Sequence, residues 1–246
     1  MIPPPRVGTR IAAMRVLVGT SGFSYDAWHG SFYPEGLKSA ERLGYYASRL
    51  ATVEINNTFY RMPRAELLER WAGEVPDDFV FVLKAPQRIT HVKRLQASAA
   101  EDVKYLLEQA RGLGSKLGPL LFQTPPSFRK DVVRLREFLG LLPAGARAAF
   151  EFRHESWEDE EARGVLRENG AALCLADTDA AEAPPLHATA DFGYLRLRRA
   201  DYDAAALRRW AELVKSRPWR EAFVFFKHEE EGKAPALADA FRAALG

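Results

Sequence analysis

Ala149-Phe150-Glu151-Phe152-Arg153-His154-Glu155-Ser156-Trp157 compresses a core strand, a charged strand end and a helix start into nine residues. Side chains alternate across a strand, so Phe150 and Phe152 share one face while Glu151 and Arg153 share the other. Opposite charges on one face of an otherwise buried strand are costly unless they pair or meet a ligand, which makes this strand end a candidate site.

Working outward, apolar runs of strand length alternate with longer stretches of helical periodicity, the pattern of βα units around a parallel sheet. Strands are expected over 15–19, 52–56, 79–84, 119–123, 147–153, 171–176, 193–198 and 222–227. Helices are expected over about 40–50, 64–73, 99–112, 127–141, 156–169, 204–216 and 235–245, with Ser127 and Ser156 as caps for the fourth and fifth. Eight strands separated almost throughout by helices, in 246 residues, fit a single (β/α)8 TIM barrel over 14–246 better than an open doubly wound sheet. Two connections stand out. The first strand is followed by a long aromatic-rich loop over 20–37, and residues 177–190 hold too much Ala, Pro and Asp for a helix, which leaves the sixth βα unit irregular.

Hydrophobic residues make up 47% of the chain and charged residues 28%, enough of each for a full globular core. A net charge of +2 is too small to mark a nucleic-acid protein by bulk electrostatics, although a local basic patch remains open. The single cysteine, Cys174, excludes an internal disulfide and a cysteine zinc cage; its apolar run marks it as a small core residue. Residues 1–13 contain three consecutive prolines and no apolar leader, so a flexible N-terminal extension is expected there. No later run is long enough to span a bilayer, and the expectation is a cytoplasmic protein without a membrane partner.

In a (β/α)8 barrel, function sits on the loops that follow the strands. Period-two alternation places a polar set toward the lumen there: Glu54 and Asn56, Lys84, Gln123, Glu151 and Arg153, and Arg196 and Arg198. Asp177, Lys227 and His228 stand at further strand ends and join the set as candidates. One strand-end ion satisfies a neighbour in many folds, but a folding core does not need five strands of them. Lys84, Arg153, Arg196, Arg198 and Lys227 outnumber Glu54, Glu151 and Asp177, which favours a small anionic ligand, a phosphate or a carboxylate. Glu151 and Glu54 are the acid/base candidates. Lys84 has two readings, a Schiff-base amine if burial and cationic neighbours lower its pKa, or a simple phosphate-binding lysine. Tyr25, Trp28 and Tyr60 are candidate walls for a sugar or base, with Trp157 and His91 also near strand ends. No His-Glu-x-x-His pair occurs and few histidines converge, so neither a metal nor a cofactor is expected. No Gly-x-Ser-x-Gly elbow, Gly-x-x-x-x-Gly-Lys loop or helix-opening Gly-x-Gly-x-x-Gly is present, which argues against serine hydrolases, P-loop NTPases and Rossmann enzymes.

Five motifs, in order, are Gly19-Thr20-Ser21-Gly22-Phe23-Ser24-Tyr25, Val53-Glu54-Ile55-Asn56-Asn57-Thr58-Phe59-Tyr60, Lys84-Ala85-Pro86, Leu121-Phe122-Gln123-Thr124-Pro125-Pro126 and Glu151-Phe152-Arg153-His154-Glu155-Ser156-Trp157. Together they resemble the DUF72, or YecE-like, family. The resemblance implies a TIM barrel and a family without an established activity. It also implies a common site holding Glu54, Asn56, Tyr60, Lys84, His91, Gln123, Glu151, Arg153 and Trp157. The chain departs from the family pattern on the rim. Strand seven ends Arg196-Leu197-Arg198 where a histidine often follows the leucine, and strand eight ends Phe226-Lys227-His228 where Phe-Asn-Asn is usual.

Three functional readings follow. One is a metal-independent enzyme on a small anionic or sugar-like substrate, with Glu151 and Glu54 as acid/base groups. Another, resembling the endonuclease IV type of barrel, is a nucleic-acid enzyme or binder in which His91, Glu151 and Asp177 recruit metals. The third is a non-catalytic protein that binds a metabolite at the barrel mouth.

Overall fold

The structure is a computed structural model and describes residues 14–179 and 184–246. The expected N-terminal extension over 1–13 lies outside the described residues. The chain folds as an α/β barrel of parallel strands: β1 (Arg15–Ser21), β2 (Thr52–Ile55), β3 (Val80–Lys84), β4 (Leu117–Gln123), β5 (Ala148–Glu151), β6 (Ala172–Leu173), β7 (Leu175–Asp177), β8 (Phe192–Leu197) and β9 (Glu221–Phe226). The helices are α1 (Arg42–Ala47), α2 (Ala65–Gly73), α3 (Ala100–Ala110), α4 (Val132–Leu139), α5 (Glu160–Glu168), α6 (Ala204–Lys215) and α7 (Lys233–Leu245).

Eight staves were expected and nine strands are found because the sixth is bent. β6 pairs with β5 and β7 pairs with β8, and only Cys174 separates the two halves. The Cys174 N–H still donates to Phe150 O at 2.8 Å, so the chain leaves one neighbour and joins the other within a residue. This bend brings the two ends of the sheet together. Thr189 supports it from the irregular connection, accepting from Leu173 N at 2.7 Å and donating to Ala171 O at 2.8 Å. The described residues between Asp177 and Phe192 form no helix.

Period-two alternation divides the core into two layers. Leu17, Val82, Leu121, Ala149, Ala172, Cys174, Phe192, Tyr194, Phe223 and Phe225 fill the barrel interior. The alternate residues, such as Val18, Val53, Phe81, Phe122, Phe150, Leu195 and Phe226, pack outward against the helices. The N-terminal end of the lumen is plugged by Arg147, whose guanidinium lies 4.4 Å from the Phe192 ring and 2.7 Å from Glu221. Gly19 marks a close approach between staves, because a Cβ there would sit 2.0 Å from the Thr52 carbonyl oxygen.

Two caps differ from expectation. Asp131 caps α4 by accepting from Arg134 N at 3.0 Å, and Asp159 caps α5 by accepting from Glu161 N at 2.9 Å. Each helix therefore starts later than its serine suggested. Ser156 instead accepts from Lys130 N at 2.8 Å and ties the two connections together.

Candidate functional site

Strand register assembles the floor of the barrel mouth. Ser21 stands beside Glu54 and Gln123 beside Glu151 in the parallel ladders. Ser21 Oγ accordingly donates to Glu54 Oε1 at 2.7 Å and Gln123 Nε2 to Glu151 Oε1 at 2.6 Å. Arg196 reaches between the two carboxylates. Its two terminal nitrogens donate to Glu151 Oε2 at 2.5 Å and to Glu54 Oε1 at 2.9 Å. Tyr194, two residues earlier on the same face of β8, donates to Glu54 Oε2 at 2.5 Å. Asn56 donates to Glu54 Oε1 at 3.2 Å and accepts from Arg196 at 3.4 Å. Glu54, Glu151 and Arg196 are all at most 2% exposed.

Burial alone would raise the pKa of both glutamates, but Arg196 and the surrounding donors outweigh it. Glu54 is held below its ordinary value and Glu151 is held at about 2. The same pairing pushes Arg196 well above its ordinary value despite its own burial. Glu54 and Glu151 were expected as acid/base groups; the structure occupies them as counter-ions of Arg196. A carboxyl with a pKa near 2 keeps almost no proton to donate at neutral pH and is a weak base.

Above this ion triad lies a cavity of about 260 Å³ lined by Tyr25, Asn56, Phe59, Tyr60, Lys84, Gln123, Arg153, Arg196, Arg198, Lys227 and Glu229. Arg153 is tied to Glu151 Oε1 at 3.0 Å, whereas Arg198 stands 3.8 Å from the same oxygen and Lys227 stands 3.9 Å from Glu229. Lys84 Nζ lies 4.2 Å from the centroid of the Phe59 ring and makes no ion pair among the described residues. Burial, then the charge of Arg196, pushes the Lys84 amine down to about 8. His91 meets the Phe59 ring edge-on at 4.9 Å and is likewise lowered, by burial and then by Lys84.

Of the expected site residues, Tyr25, Asn56, Tyr60, Lys84, Gln123, Arg153, Arg196 and Lys227 line the one cavity. Glu54 and Glu151 lie at its floor, and His91 lies across Phe59. Trp28, expected as a wall, is fully buried in the packing of its own loop, 4.9 Å from the Tyr25 ring and 5.6 Å from Phe32. Trp157 is also buried, stacked at 4.0 Å on Phe152, with its Nε1 donating to Phe128 O at 2.8 Å. Replacing Trp157 with Phe leaves that carbonyl without its donor. The expected loss is about 1–2 kcal/mol of unfolding free energy by chemical denaturation, with ligand affinity unchanged. Asp177 faces outward and is taken by Arg199 at 2.8 Å and Tyr202 at 2.9 Å.

Tyr194 and Ser21 were missed. Counting back by two from Arg196 reaches Tyr194, and Ser21 becomes visible once the first strand extends beyond Gly19. With Glu151 held by Arg196 and Asp177 turned outward, the donors of the metal reading stand apart. No group of three or more His, Cys, Asp or Glu among the described residues is arranged to hold a metal.

Fold and site together define a TIM-like α/β barrel with a polar, net-positive C-terminal mouth over a buried ion triad. The chain belongs to the DUF72 family, whose model, described as a protein of unknown function, matches residues 17–246. A solved DUF72 family protein from Thermotoga maritima MSB8 is 30% identical with a TM-score of 0.81, covering 94% of this chain and 99% of that one. A DUF72 family protein from Enterococcus faecalis V583, 22% identical with a TM-score of 0.76 over 94% of this chain and 95% of its own, shares the fold. Among curated relatives, UPF0759 protein YunF of Bacillus subtilis (strain 168) is 31% identical over 153 residues, 58% of this chain and 52% of its own. UPF0759 protein YecE of Escherichia coli (strain K12) is 26% identical over 181 residues, 71% of this chain and 64% of its own. The chain therefore spans between half and two thirds of these curated relatives' length. No helix among the described residues is long and apolar enough to cross a membrane.

Proposed function

We propose that the barrel mouth binds a small anionic ligand, phosphorylated or carboxylated, and that any chemistry is carried by side chains above the ion triad. The observation that carries this reading is the division of charge. Glu54 and Glu151 are spent on Arg196, while Lys84 faces the same cavity without an ion pair among the described residues and Arg198 and Lys227 are held only loosely, 3.8 Å from Glu151 and 3.9 Å from Glu229. Arg198 and Lys227 follow the last two staves, the place where barrels of this architecture frequently hold a phosphate group. A volume of about 260 Å³ lies below the ~300–1,000 Å³ typical of pockets for drug-sized ligands, which suits a compact metabolite. Tyr25 and the 75% exposed Tyr60 supply an aromatic edge for a sugar-like portion.

Calorimetric titration with inorganic phosphate and with glyoxylate tests the reading. Saturable binding is expected near pH 7. It should weaken as pH rises through about 8, where the Lys84 amine gives up its charge. Arg198→Gln removes a charge-assisted donor worth ~1.5–3 kcal/mol, so affinity should fall about ten- to a hundredfold. Absence of saturable binding to both anions, or equal affinity in the Arg198→Gln protein, overturns it.

A further inference from the structure

Lys84 differs from the other shielded lysines of the described residues. Lys93, Lys116, Lys130 and Lys233 each reach a carbonyl or carboxylate oxygen within hydrogen-bond distance, and Lys227 has Glu229 at 3.9 Å. Lys84 has no such acceptor; its Nζ lies over an aromatic face in a cavity it shares with Arg153, Arg198 and Lys227. A lysine built only to hold charge gains from a nearby carboxylate, yet the two glutamates below it are directed at Arg196. An amine that lacks an acceptor and stands among other cations is arranged to lose its proton.

We propose that Lys84 is a nucleophilic amine that captures the carbonyl carbon of a small anionic aldehyde, ketone or oxo-acid as a Schiff base at the barrel mouth. This deepens the reading of the mouth as an anion site and rests on it. The neutral amine's lone pair attacks the carbonyl carbon, and the C=O π pair moves to oxygen, which takes a proton from water. The carbinolamine nitrogen gives its proton to solvent, and loss of water leaves the C=N bond. Amine plus carbonyl gives imine plus water, with no oxidant or reductant. Arg198 and Lys227 hold the ligand's phosphate or carboxylate, and the Phe59 face limits water at the new bond.

Burial and Arg196 set the amine near 8, with Arg153 lowering it further and Glu54 and Glu151 opposing; Arg198, Lys227, Glu229, Tyr25, Tyr60 and His91 also face the cavity, and Glu229 is taken up by Lys227 at 3.9 Å. At pH 7 about one Lys84 in ten is then neutral, against about one in three thousand for an ordinary lysine.

The test is reductive trapping of the full chain with cyanoborohydride, read residue by residue by peptide mass spectrometry, beside calorimetry with phosphate. Two carbonyl probes are used. Formaldehyde reports the intrinsic reactivity of the amine, and glyoxylate reports capture of an anionic carbonyl. Lys84 is expected to label at least tenfold faster than the exposed Lys104 and Lys215 with both probes, with a rate that rises to a plateau above pH 8. Inorganic phosphate should slow the glyoxylate reaction. Phosphate binding without preferential labelling of Lys84 overturns the covalent role and leaves the anion site standing. Preferential labelling by formaldehyde but not glyoxylate overturns the anionic ligand class. Neither binding nor preferential labelling overturns both readings.

Discussion

Replacing Arg196 with Met lowers the stability of the barrel by about 3–5 kcal/mol at pH 7, the cost of leaving buried charge without its partner. Arg196 is 2% exposed, and its guanidinium is the common cation of two carboxylates that are themselves almost fully enclosed. Methionine fills similar volume, so the loss comes from electrostatics more than from a cavity. For a protein of this size each kcal/mol moves the midpoint by ~2–4 °C, so thermal denaturation should show a fall of about 10 °C. The variant's deficit should shrink on acidification, because Glu54, stripped of its cation, and Glu151, left with Arg153 and the more distant Arg198, take up protons more readily. The combined replacement Glu54→Gln, Glu151→Gln, Arg196→Met removes all three charges and should recover most of the loss. A single variant as stable as the parent would show that the triad is not held by charge.

The same triad explains which parts of the molecule were legible in the sequence. Alternation along Glu151-Phe152-Arg153 and Arg196-Leu197-Arg198 fixed which side chains enter the lumen, because a strand offers only two faces. It could not say which of those charges would be consumed by one another. That depended on Arg196 crossing to Glu54 and Glu151, contacts between residues 142 and 45 positions apart in the chain. Asp177 shows the opposite case. Cys174 faces inward and Leu175 outward, so the same count by two turns Asp177 outward to Tyr202. Trp28 and Trp157 lie in the connections that follow β1 and β5, where aromatics either line a mouth or pin a loop. The choice depends on partners such as Phe32 and Phe152 supplied by the loop's own fold. The caps shifted for a local reason. Ser127 and Ser156 precede further turns before α4 and α5 begin, and Asp131 and Asp159 take over the first free N–H groups.

Acid should unfold this protein partly through Glu151, and the sign follows from the direction of its shift. Its carboxyl is held at about 2 in the folded state against an ordinary 4.5, so the folded state favours the ionised form. The stabilisation is complete above about 4.5 and is lost as pH falls from there to about 2. That difference is worth about 3 kcal/mol. Glu54 is shifted in the same direction and adds to the same limb. Exposed carboxylates such as Asp159 and Glu160 are lowered too, so the parent's acid limb alone would not isolate the triad. Comparison with Glu151→Gln does, because those surface groups are common to both proteins. The amide cannot ionise and leaves part of the Arg196 charge unmatched. The variant should therefore be less stable at pH 7 by about 3 kcal/mol, and the gap should close as pH falls toward 2. Urea denaturation at a series of pH values from 7 to 2.5 measures both curves. Parallel curves across that range would mean that Glu151 carries no linked proton, and the account of the mouth as a saturated ion triad beneath a surplus of cations would fail with it.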